Sequence, residues 1–108
     1  MENIKESDWK IFKKIKENAI TLFCDRVLQE FDEVINNSGE NPHNKYLFLY
    51  KLLQSRDKQM QILFDGHSRS KAILQLIAIR GEGLADEELL NKLSTELLMQ
   101  TDPDRFKC

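Results

Sequence analysis

From Trp9 to Ile35 the chain runs without a glycine or proline, and its apolar residues return at helical spacing: Phe12, Ile15, Ala19, Phe23, Val27, Phe31, Val34 and Ile35. Recurrence at threes and fours puts them on one side of a helix. With Ser7 or Asp8 as N-cap and Asn36-Asn37-Ser38-Gly39 as the stop, the pattern predicts a helix over about 8–37. At about 1.5 Å per residue this helix is roughly 43 Å long, more than a compact domain of 108 residues needs. Part of it should overhang its own subunit. Ile20, Leu22, Cys24 and Leu28 widen the stripe further, so the helix is expected to touch two neighbours or a second copy of the chain.

The remaining segments read the same way. Asn41-Pro42 is a helix-start signal, and helix two is expected over about 42–64, with the stripe Tyr46, Leu49, Tyr50, Leu53, Asp57, Met60, Leu63 and Phe64. Its opening run, Tyr46-Leu47-Phe48-Leu49-Tyr50, is apolar on every side. Burying it requires either the later helices or a second subunit. Asp57 stands where an apolar residue should. A carboxylate on a core face needs a partner, and Arg26, Arg56 and Arg69 are the candidates for a structural ion pair, with a wet edge as the alternative placement. The apolar run 72–79 suits a buried strand or a buried helix. A plausible cap at Ser68 and the lack of a second strand-like segment favour helix three over about 68–80, closed by Gly81-Glu82-Gly83. Helix four is expected over about 85–100, with Asp86-Glu87-Glu88 at the positive end of its dipole. The expectation is therefore all-α: a single domain over 1–108 resembling a four-helix bundle, self-associating, with a dimer favoured.

Composition bounds the function. The four glycines and two prolines cluster between long unbroken segments, which suits helices. No run approaches the roughly 18 to 20 apolar residues of a membrane span, and Met-Glu-Asn-Ile-Lys-Glu lacks a secretory core. A cytoplasmic, membrane-free protein is expected. Cys24 lies within an apolar helical pattern and reads as a small hydrophobe, while Cys108 is a terminal thiol open to oxidation. Neither falls in a metal-ligand spacing. P-loop, GxGxxG, HExxH and GxSxG signatures are missing, and of the two histidines only His43 follows a glutamate, Glu40, by three residues, where a di-iron bundle requires two such pairs on facing helices. A non-enzymatic protein without metal or cofactor is expected.

The formal charge of −2 conceals an uneven distribution. Residues 1–40 carry six Lys/Arg against nine Asp/Glu, residues 41–81 seven against two, and residues 82–108 three against seven, giving −3, +5 and −4. The polar break Asp65-Gly66-His67-Ser68-Arg69-Ser70-Lys71 lies in the basic middle. A helix start offers unpaired N–H groups and partial positive charge, and cations there oppose the dipole. His67, Ser68, Arg69, Ser70 and Lys71 are accordingly the candidate contact for an external anion or a partner; the alternative is a capped turn whose cations pair with the acidic flanks. A nucleic-acid contact in helix-turn-helix style is a second reading, and a phosphate-ligand module a third. Against the former, helix three offers only Gln75 and Arg80 beyond Lys71 as polar readers, and the pI near 5.7 lacks a basic footprint. The chain thus points to a helical interaction protein, its partner a second copy or another protein.

Overall fold

The computed structural model describes residues 4–106; Cys108 lies outside them. Five α-helices follow one another: α1 Glu6–Ile35, α2 Pro42–Phe64, α3 Arg69–Gly81, α4 Glu87–Leu90 and α5 Thr95–Gln100, then a 3-10 turn over Pro103–Phe106. The described residues contain no strand, and none of these helices is long and apolar enough to cross a membrane.

The helix ends follow local chemistry, with two departures from the sequence pattern. At α2, Asn41 Oδ1 accepts a hydrogen bond from Asn44 N at 2.8 Å and Pro42 opens the first turn. At the end of α3, Gly83 takes φ +70°, Gly83 N donates to Arg80 O and Leu84 N to Ile79 O. This is a Schellman closure, and its apolar contact is supplied by Leu84 and Ile79, both in the core. The first departure is at α1, which starts at Glu6 with Lys5 before it and no side-chain cap. Asp8, expected to cap, is buried and reaches across the molecule instead: Oδ1 accepts from Ser94 N at 2.9 Å and Oδ2 from Ser94 Oγ at 2.6 Å.

That contact explains the second departure. The single fourth helix expected over 85–100 is two short helices, because Ser94, tied to Asp8, is held extended (φ −63°, ψ 150°) and caps α5 by accepting from Leu97 N. The all-α class holds, but the architecture is three long helices and two short ones. Arg80 fastens the end of the chain, with Nη1 donating to Leu98 O at 2.8 Å and to Thr101 Oγ1 at 2.9 Å.

Phe12, Ile15, Leu76, Ile79 and Leu84 are fully buried. This core occupies one end of the molecule. Its buried residues run from Trp9 to Ala19 on α1 and are Leu63 and Phe64 on α2, with Ile20, Phe23 and Met60 packed against them. Beyond it the α1–α2 hairpin projects, giving principal extents of 52 × 29 × 26 Å and a radius of gyration of 16.9 Å, against roughly 13 Å for a compact chain of this length. The overhang predicted for helix one is present, and helix two shares it.

Candidate functional site

The 65–71 junction packs on the N-terminal half of α1. Gly66 has φ +83°, and a Cβ there would stand 2.6 Å from Lys71 Nζ, so glycine serves both the left-handed turn and the lysine folded over it. Two buried side chains hold the turn's carbonyls. Lys16 Nζ donates to Gly66 O at 2.7 Å; Gln75 Nε2 donates to Asp65 O at 2.8 Å and Gly66 O at 3.0 Å. Lys16 is only 6% exposed. Burial pulls its pKa below the ordinary lysine value, the Asp65 carboxylate opposes this, and neighbouring Lys71 adds to it.

Each candidate residue of the junction has a place. The His67 ring leans on Trp9, centroids 5.0 Å apart, with Nδ1 3.5 Å from Lys16 Nζ. Ser68 precedes α3 without capping it through its side chain; its Oγ lies 3.2 Å from Ser70 Oγ. Arg69 lies over the Trp9 ring and forms an ion pair with Glu6. The cation at the positive end of α3 thus has its counter-charge in this chain's own first helix. Lys16 was masked in the sequence by its lysine-rich surroundings, yet its spacing four after Phe12 and three before Ala19 places it on the buried stripe. Gln75, likewise read as an outward group, sits on the core side of α3.

The arginines expected to neutralise Asp57 are engaged elsewhere. Arg56 grips Glu30 with two hydrogen bonds, Nε to Oε1 at 2.8 Å and Nη2 to Oε2 at 2.7 Å, which holds the Glu30 carboxyl below its usual pKa. Arg26 donates to Glu82 O at 3.2 Å and Gly83 O at 3.1 Å, and Arg69 meets Glu6. Asp57 itself is exposed and accepts from Gln61 Nε2 at 3.1 Å. The wet edge, rather than the ion pair, describes it.

The larger feature is the projecting hairpin. The links from Arg26 to Glu82 and Gly83 show that the α3–α4 connection lies against its back. Beyond Ile20 and Met60, which pack against the core, the front is uncovered. At about 100° per residue, Ile20, Cys24, Leu28, Phe31 and Ile35 fall on one side of α1, while Tyr46, Tyr50, Leu53, Asp57 and Met60 share one side of α2. Between them runs a groove of about 340 Å³ lined by Phe23, Cys24, Val27, Leu28, Leu53, Arg56, Asp57 and Met60. Leu28 is 65% exposed, Tyr46 68%, Tyr50 56% and Leu53 53%. The stripe whose spacing placed it in a core therefore meets solvent over most of its length, and neither α3 nor α4 closes over the Tyr46–Tyr50 run.

No protein-family model, curated protein or solved structure matches this chain.

Proposed function

We propose that this protein is a non-enzymatic interaction module that self-associates through the front of its α1–α2 hairpin. The observation that carries this reading is a core-like stripe left in water: apolar Tyr46, Tyr50, Leu53 and Met60, interrupted by Asp57, keep heptad spacing along a helix that projects beyond its own core. Contiguous exposed apolar surface of this extent marks an interaction site. The accessible surface agrees with this projection. It amounts to 7529 Å², against roughly 6,200 Å² for a compact monomer of this mass. The excess, about 1,300 Å², is that of an elongated molecule with a projecting hairpin.

The junction supports a contact role less well. Gln75 and Arg80, the polar readers that a helix-turn-helix would place in a groove, are committed to carbonyls of the same chain. Sedimentation at high micromolar concentration tests the proposal: an assembly of two or more chains is expected, and a monomer would remove it. Introducing charge on the stripe with Leu28→Glu/Leu53→Glu should return the assembly to monomer without loss of helix signal.

A further inference from the structure

Resting on the self-association reading, we propose that a proton controls it: Asp57 stands on the apolar face as a carboxylate without a cation, and its neutralisation strengthens association as pH falls. Asp57 is four residues after Leu53 and three before Met60, so the stripe runs through it. It lines the groove with both of them, and Cys24 and Leu28 line the facing wall. In the separate chain Asp57 is exposed, accepts from Gln61 Nε2 at 3.1 Å and leaves the rest of its charge to solvent. Covering the stripe takes that solvent away. A carboxylate that loses its water needs a cation or a proton.

The face itself holds no cation for it. The stripe residues of the two helices include neither lysine nor arginine, so however two such faces are turned, neither stripe offers the other's Asp57 a counter-charge. Arg56, which also lines the groove, is held by two hydrogen bonds to Glu30, and it keeps that carboxyl below its ordinary pKa and therefore ionised in mild acid. Arg26 is engaged by the carbonyls of Glu82 and Gly83, and Arg69 by Glu6. Lys58, next in sequence, points about 100° away around α2. Across the groove α1 presents the Cys24 thiol, and Asp25 at the edge of its face, accepting from Gln29 Nε2 at 3.0 Å, adds negative charge. His43, seven residues before Tyr50, is the titratable group in line with the stripe at the hairpin tip. With no cation supplied, a proton on Asp57 removes the cost of covering it. The assembly then holds a proton that the separate chains release, so affinity rises as pH falls.

Sedimentation equilibrium across pH tests this, with the helix signal in circular dichroism confirming the fold at each pH. For the native chain the dissociation constant should fall by about tenfold or more from about pH 7 to about pH 5. Asp57→Asn keeps the side-chain volume and removes the proton. It should associate near pH 7 as tightly as the native chain does near pH 5, and lose that dependence. His43→Gln should retain it, which separates Asp57 from the histidine at the tip. If the native chain instead loosens in acid and Asp57→Asn weakens association, a cation of the second copy meets Asp57, and the proton control is overturned while self-association stands. Equal pH dependence in the native and Asp57→Asn chains, flat or sloped, overturns it in the same way. Monomers in both chains at every pH remove the self-association reading as well.

Discussion

Lys16 shows how much a single buried cation organises. Its stem lies among the core residues of α1 and its ammonium bonds the carbonyl of Gly66 fifty residues away, fixing the α2–α3 turn against the first helix. The arrangement has a pH signature. Because burial lowers its pKa, the folded chain releases this proton before the unfolded chain does, and the unfolded chain keeps it up to the ordinary value of 10.5. Over that window the unfolded state binds more protons, so this group's contribution to stability rises with pH. Lys16→Met keeps the volume and removes the titration. The urea midpoint of the native chain should therefore gain on that of Lys16→Met as pH climbs from about 8 towards the lysine range. Parallel curves for the two chains would show that Lys16 does not carry this linkage.

At the scale of elements, what was legible in the sequence was what depends on neighbours within a turn or two. The Asn41-Pro42 start, the Gly81-Glu82-Gly83 stop and the stripe of α1 are local patterns, and they are found where the spacing put them. What was not legible depends on partners far along the chain. Nothing near Ser94 announces that Asp8, eighty-six residues earlier, accepts from both its N–H and its hydroxyl and splits the last helical segment in two. Lysine and arginine at the start of α3 look anomalous until Glu6 is seen beside Arg69. The composite Asp8 contact also makes a clear prediction. A buried carboxylate accepting two hydrogen bonds contributes about 2–3 kcal/mol, so Asp8→Ala should lower the stability of the fold by about that amount in chemical denaturation. α5 should lose hydrogen-exchange protection more than α2, since only the former is fastened through Ser94.

At the scale of the whole molecule, periodicity could identify an apolar stripe but not say which stripe the same chain would cover. The two helices of the hairpin are patterned alike throughout, yet α3, α4 and α5 together are long enough to cover only the N-terminal half of α1 and the last turn of α2. The distal half is left as surface with the composition of a core, and this separates two kinds of leucine. Leu76 is 1% exposed, and Leu76→Ala should destabilise the chain at any concentration by about 2–5 kcal/mol. Leu53 is more than half exposed, so Leu53→Ser should change the dilute monomer by no more than about 0.5 kcal/mol. In concentrated solution the order is different. Association that is specific to the folded state raises its apparent stability by mass action, so the thermal midpoint of the native chain should climb with protein concentration, and Leu53→Ser should abolish the climb while leaving the dilute value in place. Asp57→Asn should steepen the climb, because an interface no longer has to desolvate a carboxylate lacking a cationic partner. A midpoint independent of concentration in all three chains would mean that this surface stays in water.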